Sequence, residues 1–247
     1  MELNHVFAGP SSPTLVIFLH EGLGSIKQWK QYLSELCEEL QVTGLIYDRA
    51  GYGKSPGSLE NRKPNYLHLA AEELKAVVGA YQQEYENIFL YGHSDGGSIA
   101  LIAAANLKDR KLKGVITEAA HVFVEEETIK GVKEARPPFA KGYFDGLKKY
   151  HSERYKVVFF AWNDIWLDPS FKDWNIFELL PKIKCPQLAI QGKDDQYGTL
   201  KQLEYISTKT IGQTTLFVPE NCGHAPHKEQ KEAVLEIVKP FIHSYLI

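Results

Sequence analysis

The sequence predicts an α/β protein built on a mostly parallel, doubly wound β-sheet that helices cover on both faces. Six short runs are rich in Val, Ile, Leu and aromatic residues and end near Gly, His, Asp or Pro, as buried strands do. Longer segments between them carry apolar residues at the three- or four-residue spacing of a helix. Strands that alternate with helices favour a parallel sheet with both faces buried. The predicted strands are Thr14–Leu19, Val42–Tyr47, Ile88–Tyr91, Leu112–Thr117, Gln187–Ile190 and Thr214–Val218.

The composition fits a soluble globular protein and argues against several classes of partner. Of the 247 residues 44% are hydrophobic and 24% are charged, which is sufficient for a large core. The formal net charge of −3 leaves no basic excess to bind nucleic-acid phosphates. The longest apolar stretch, Ile99–Ala105, is too short to span a bilayer, and the first ten residues do not resemble a signal peptide. Three widely separated cysteines do not suggest disulfides. We therefore expect a cytoplasmic protein without a nucleic-acid or membrane partner.

Residues 121–180 interrupt the alternation of strands and helices. Although Val157–Phe160 has the composition of a short extended piece, we predict that this segment is an inserted helical subdomain. The predicted core then comprises residues 1–120 and 181–247.

The insert is unusually aromatic, with thirteen aromatic residues among its sixty. Most of them are expected to form a small core of the insert itself. Trp162, Trp166 and Phe123 are the candidates for lining an apolar substrate pocket beneath it.

The hexapeptide Gly92–Gly97, with the sequence Gly-His-Ser-Asp-Gly-Gly, carries the clearest chemical signal. It lies between the predicted strand Ile88–Tyr91 and an apolar helix. A serine in such a tight strand–turn–helix junction needs glycines two residues before and after it, because side chains there would clash. The turn lifts the hydroxyl above the sheet. Ser94 is therefore the candidate nucleophile, and an ordinary tight turn with a helix cap is the alternative.

A serine hydroxyl needs a base and an acid to orient that base. His224 is the candidate base because it follows the last predicted strand, and the carboxyl ends of parallel strands are where α/β sheets place their sites. Two acids follow the strand Gln187–Ile190. Asp195 lies further into the loop and is preferred, Asp194 is the fallback, and Glu118 is a less favoured alternative. The chain order of serine, aspartate and histidine matches one of the known arrangements of such residues.

Acyl transfer also requires hydrogen-bond donors for a developing oxyanion. The backbone N–H of Asp95, directly after the serine, is one candidate. The glycine-containing loop after the first strong strand supplies the other, for which we select the N–H of Gly22.

With these motifs in place, the chain resembles the α/β-hydrolase superfamily over most of its length. In that superfamily the acid usually stands three residues after the glycine of its loop, which favours Asp195 over Asp194. The resemblance also implies an α/β-hydrolase fold in which residues 121–180 form a helical cap. The matching segments are His20–Gly22, Asp48–Ser55, Gly92–Gly97, Gly192–Asp195 and Cys222–Pro226.

The chain departs from the superfamily pattern in the oxyanion loop and at its N-terminus. Glu21 and Ala50 stand where glycines are usual, and a carboxylate at Glu21 would oppose an oxyanion if it pointed inward. We expect it to point away, towards Arg49. Only Leu3–Phe7 offers a strand before Thr14, so we expect fewer than the usual eight strands.

The leading functional prediction is a serine hydrolase acting on a small, apolar or aromatic carboxylic ester through an acyl-enzyme. The resemblance leaves two other reactions open, carbon–carbon bond hydrolysis and the lyase reaction of the menaquinone-pathway synthase. For the latter, Arg49 or Arg136 would hold a substrate carboxylate. A ligand receptor or signalling partner that retains the same three residues is the alternative of another class. No metal or other cofactor is expected, the partner is a small-molecule substrate, and the sequence does not predict an oligomeric state.

Overall fold

The computed structural model describes residues 2–107 and 110–246, apart from the side chain of Lys30. Within this part of the chain, seven strands form one sheet in the order β1-β3-β2-β4-β5-β6-β7. The edge strand β1 is antiparallel to β3, and every other neighbouring pair is parallel. The strands are β1 (His5–Ala8), β2 (Thr14–Leu19), β3 (Thr43–Tyr47), β4 (Asn87–His93), β5 (Leu112–Glu118), β6 (Gln187–Ile190) and β7 (Thr214–Phe217).

Helices cover both faces of the sheet, as the sequence predicts. Alternate residues of β2 belong to different core clusters: Leu15, Ile17 and Leu19 face one side, while Val16 and Phe18 face the other. This alternation follows from the two-residue period of a strand. Helices α2 (Tyr66–Tyr81), α3 (Asp95–Asn106) and α8 (Lys201–Lys209) contribute to the first cluster, and α1 (Ile26–Leu40) and α10 (Lys231–Ser244) contribute to the second.

Between β5 and β6 the chain leaves the sheet and forms the helices α4 (Glu126–Glu134), α5 (Arg136–Ala140), α6 (Lys148–His151) and α7 (Tyr155–Leu167). The interpretation of Val157–Phe160 as an extended piece is wrong, because these residues lie within α7. Val158, Phe159, Trp162 and Trp166 are buried at helical spacing, and this burial stabilises the helix against the core.

The parallel strands end at the same edge of the sheet, and this edge carries the candidate site. Ser94 follows β4, and the loop after β6 holds Asp195. His224 lies between β7 and the short helix α9 (Pro226–Glu229). The fold therefore brings together residues that are far apart in the sequence. Within the described part of the chain, no helix combines the length and apolar character needed to cross a membrane.

Candidate active site

Ser94 occupies a sharp turn between β4 and α3. Its backbone has φ 53° and ψ −120°, a conformation that non-glycine residues rarely adopt. A Cβ at Gly92 would lie 2.1 Å from the carbonyl oxygen of Gly96, and one at Gly96 would lie 2.2 Å from that of Leu19. Neither position tolerates a side chain, which is the steric reason for the two glycines. The turn has the geometry expected of a nucleophile elbow.

The His224 ring bridges Ser94 and Asp195. Its Nε2 lies 2.9 Å from Ser94 Oγ, and its Nδ1 lies 2.8 Å from Asp195 Oδ1. Because a carboxylate only accepts hydrogen bonds, Nδ1 carries the hydrogen and donates to Asp195. Nε2 is then free to accept the Ser94 hydroxyl proton. This arrangement is suited to activating a serine as a nucleophile.

Asp195 is held in place by its own loop. The backbone N–H of Tyr197 donates to Oδ1 at 2.9 Å, and Gln191 Nε2 donates to Oδ2 at 3.3 Å. Burial opposes ionisation, but the neighbouring His224 and the hydrogen bond from the Tyr197 backbone outweigh it and hold the pKa of the Asp195 carboxyl below its usual value. Asp195 is therefore a carboxylate at neutral pH.

The two alternative acids lie elsewhere. Asp194 is exposed, and its backbone N–H bonds to the Cys222 carbonyl at 2.9 Å. Glu118 is fully buried and accepts hydrogen bonds from the backbone N–H and the ring of His227, at 2.8 and 2.9 Å. The structure thus places Asp195, the preferred candidate, next to the histidine.

The predicted oxyanion donors lie beneath the insert. Asp95 directly follows Ser94 at the start of α3. A Cβ at Gly22 would lie 2.5 Å from Cδ1 of Trp162 and 3.3 Å from Oδ2 of Asp95, so Gly22 packs between the insert and the elbow. Trp162 therefore covers this position, and only 7% of Ser94 is exposed.

The carboxylate of Asp95 lies close to Gly22 in space. Arg49 Nη2 lies 3.8 Å from Asp95 Oδ2, and the Tyr66 hydroxyl donates to Asp95 Oδ1 at 3.1 Å. These contacts offset the negative charge near the oxyanion position. The expected pairing of Arg49 with the Glu21 carboxylate is wrong, because the guanidinium donates to the Glu21 backbone carbonyl at 2.9 Å. The carboxylate itself points towards His93, whose Nδ1 is 3.6 Å away.

The three aromatic candidates for a substrate pocket have different positions. Trp162 contacts Gly22 and lies edge-on to Tyr197, whose ring centre is 4.8 Å from that of His224. Trp166 contacts the site through His121, which lies between it and His224. The ring centres of Trp166 and His121 are 4.9 Å apart. Phe123 packs against Phe177 and Tyr205, and its backbone pairs with that of Asn175. None of these contacts is with Ser94, Asp195 or His224.

Two residues near the base were not singled out from the sequence. Tyr197 and His121 both lie against the His224 ring, the latter with ring centres 5.9 Å apart. His121 follows β5 and Tyr197 follows β6. The sequence could have indicated them by these positions, because residues that follow parallel strands meet at the same edge of the sheet. Cys222 is also close, but burial raises the pKa of its thiol to about 12, which keeps it protonated and unreactive.

We expect His121 to make the stability of the protein depend on pH. Burial, assisted by His224, lowers the pKa of His121 from 6.5 to about 4. Unfolding therefore takes up a proton between these pH values, and the free energy of unfolding falls as the pH is lowered through this interval. The contribution of this residue is about 3 kcal/mol. Urea unfolding of His121→Gln at several pH values should show a flatter dependence than the wild type.

The matched control for this measurement is His243→Gln, because His243 is exposed. This variant should keep the wild-type dependence. An equally steep loss of stability in His121→Gln would contradict the assignment of a neutral, buried imidazole at this position.

Comparisons with known proteins show the family and the fold of the chain. Residues 16–237 match the model of the alpha/beta hydrolase family. The chain is 26% identical to the proline iminopeptidase of Saccharolobus solfataricus, over 92% of this chain and 84% of that protein. It is 29% identical to the human monoglyceride lipase, over 90% and 78%. A lipase-esterase related protein from Clostridium acetobutylicum has the same fold, with a TM-score of 0.76, 18% identity, and coverage of 98% of this chain and 100% of that one. Since the family model covers most of its length, the chain belongs to the α/β hydrolase family.

Proposed function

We propose that this hydrolase is a serine esterase that cleaves a small carboxylic ester with an apolar or aromatic acyl group, through an acyl-enzyme. The observation that carries the proposal is the chain of contacts from Ser94 Oγ through His224 to Asp195, at 2.9 and 2.8 Å. Both distances are within hydrogen-bonding range, and the order of the three groups is that required for general-base activation of a hydroxyl.

Acylation begins when His224 Nε2 takes the proton of Ser94 as Oγ attacks the ester carbonyl carbon. The carbonyl oxygen becomes an oxyanion, and the N–H groups of Gly22 and Asp95 are proposed to bind it. Asp195 stabilises the imidazolium that forms. His224 then gives its proton to the leaving alkoxide as the carbon–oxygen bond breaks, which releases the alcohol and leaves the acyl group on Ser94.

Deacylation repeats these steps with water. His224 removes a proton from a water molecule, the hydroxide attacks the acyl carbon, and the bond to Ser94 Oγ breaks. The proton held by His224 returns to Oγ, so the carboxylic acid leaves and the serine is regenerated.

The surroundings of the nucleophile support an apolar acyl group. Trp162 and Tyr197 lie beside the site, and the lowered pKa of His121 keeps that ring neutral above about pH 4. We propose that residues 121–180 act as a cap over the core, and that the face of α7 bearing Trp162 contacts the acyl chain. Apolar and aromatic surfaces of this kind favour substrates with little charge.

The alternative reactions have less support. The synthase reaction needs a basic side chain available to a substrate carboxylate. Arg136 instead donates to Asn163 and Asp164, both at 2.5 Å, and Arg49 is committed to the Glu21 carbonyl and the Asp95 carboxylate. A receptor that retains the same three residues would show the same contacts, so turnover of a substrate is what distinguishes it from an enzyme.

A substrate panel with a covalent probe tests the proposal. We expect p-nitrophenyl esters of short aliphatic and aromatic acids to be hydrolysed, and a fluorophosphonate to label Ser94. Hydrolysis of a vinylogous diketo acid without hydrolysis of any ester would instead identify a carbon–carbon hydrolase. Labelling without turnover of any substrate in the panel would favour a receptor.

A further inference from the structure

A group of buried ionisable side chains lies near His224, and His93 makes the direct contact with it. His93, Glu118 and His227 are almost completely buried, and the Glu21 side chain is only 13% exposed. Burying charged and titratable groups is unfavourable unless they have specific partners. The reaction proposed above uses none of these four side chains, so their presence calls for a separate explanation.

His93 connects the nucleophile to the backbone of the base. Its Nε2 lies 2.6 Å from the carbonyl oxygen of His224. Because a carbonyl oxygen only accepts, Nε2 carries the hydrogen and donates it. His93 directly precedes Ser94 in the chain, and this bond therefore determines where the His224 backbone lies relative to the elbow.

Glu21 holds the opposite side of the His93 ring. Its Oε2 is 3.6 Å from His93 Nδ1 and accepts a hydrogen bond from Trp29 Nε1 at 3.3 Å, while Lys228 Nζ lies 3.9 Å from Oε1. Burial opposes ionisation of Glu21, but the neighbouring His93 ring and the charge of Lys228 hold its pKa well below the usual range. At 3.6 Å the contact is longer than a hydrogen bond, so Glu21 acts on the His93 ring through its charge and its packing.

These contacts join the three segments that carry the proposed oxyanion donor, the nucleophile and the base. Glu21 directly precedes Gly22, His93 precedes Ser94, and the third contact is to the carbonyl of His224. A shift in any one loop changes the distance between base, nucleophile and oxyanion donors. Displacement of a catalytic group by about 1 Å can reduce a rate about 100-fold.

The neighbouring pair of Glu118 and His227 is arranged differently. Glu118 accepts hydrogen bonds from the Tyr91 hydroxyl and from the backbone N–H and ring Nδ1–H of His227, and the His227 ring stacks on Trp29 with ring centres 4.4 Å apart. These contacts attach α9 to the sheet and do not include the backbone of His224. We assign this pair to stability rather than to alignment of the site.

We propose that His93 is a positioning residue, which aligns the catalytic base through its hydrogen bond to the carbonyl of His224, and that Glu21 supports this role through its contact with the His93 ring. This inference rests on the proposed hydrolase reaction, and it gives Glu21, where the superfamily usually has glycine, a role in the same site. Neither side chain is placed in contact with the substrate. Their effect is therefore expected in kcat rather than in KM.

The test compares variants that keep or remove the hydrogen bond. His93→Gln retains an N–H donor that can reach the His224 carbonyl, whereas His93→Leu does not. With the best ester of the panel, we expect His93→Leu and Glu21→Gln to lower kcat by about 10- to 100-fold with KM little changed. His93→Gln should recover most of the activity lost in His93→Leu. The exposed residues His243 and Glu232 provide the matched controls His243→Leu and Glu232→Gln.

A spectroscopic measurement separates this inference from the proposed function. The hydrogen that His224 Nδ1 donates to Asp195 should give a downfield NMR resonance, which reports alignment whether or not an ester is cleaved. We expect this signal in the wild type and His93→Gln, and its loss or broadening in His93→Leu and Glu21→Gln. If the signal and kcat survive in both of the latter variants, the positioning role is wrong. If the signals change as expected but the wild type cleaves no ester, the proposed function alone is wrong.

Discussion

We expect Ser94→Ala to abolish fluorophosphonate labelling and to lower kcat for the best ester by roughly 10⁴- to 10⁶-fold. Alanine has no hydroxyl to attack the carbonyl carbon, so an acyl-enzyme cannot form. His224→Ala should have an effect of similar size, because the residues of such a unit depend on one another and their effects do not add. Steady-state kinetics and mass spectrometry of the labelled protein measure both losses.

The control for the nucleophile is Ser244→Ala. Ser244 is an exposed residue at the end of α10, and its hydroxyl donates to the Pro240 carbonyl of the same helix. This variant should hydrolyse and label as the wild type does. Hydrolysis that persists in His224→Ala within about tenfold of the wild-type rate would contradict the proposed mechanism, since loss of this base removes several orders of magnitude of rate.

The sheet was predictable because its physical signal is local. The run Thr14–Leu19 is buried at every position, as expected for a central parallel strand covered on both faces. The segment Val157–Phe160 has the same apolar character but forms part of a helix. A short run of this kind does not distinguish a strand from a buried helix, and only the longer spacing from Val158 to Trp166 does so.

The candidate site was also predictable in part, because backbone geometry restricts its sequence. Gly92 and Gly96 are required sterically by the elbow, and Ser94, Asp195 and His224 all follow predicted strands. The distances that join them depend on how the strands pair. That information is not contained in any one segment, which is why Asp194 and Glu118 remained alternatives until the fold was known.

The contacts of Glu21 could not be predicted from the sequence, again because they join segments that are far apart in the chain. Its partners His93 and Lys228 come from β4 and α9, and Trp29 comes from α1. A charged residue in a loop gives no local sign of which of these will approach it. The carboxylate lies near His93 and Trp29, whereas its expected partner, Arg49, donates to the backbone carbonyl of Glu21.

A second large effect is expected at the acid, where Asp195→Asn should lower kcat by about 10⁴-fold. The size of the loss follows from the tautomer of His224. An asparagine amide can donate to Nδ1, which places the ring hydrogen on Nε2, opposite Ser94. Nε2 then has no lone pair for the hydroxyl proton. The substitution changes few atoms, so substrate binding and KM should change much less than kcat.

The adjacent residue provides the matched control, because Asp194→Asn makes the same chemical change at an exposed carboxylate. It should keep the wild-type kcat. Equal losses in the two variants would indicate a general effect of charge on the loop, and a larger loss in Asp194→Asn would transfer the role of the acid to that residue. The comparison isolates the contact with His224 Nδ1, since both variants remove one negative charge from the same loop but only Asp195→Asn replaces the carboxylate 2.8 Å from the ring.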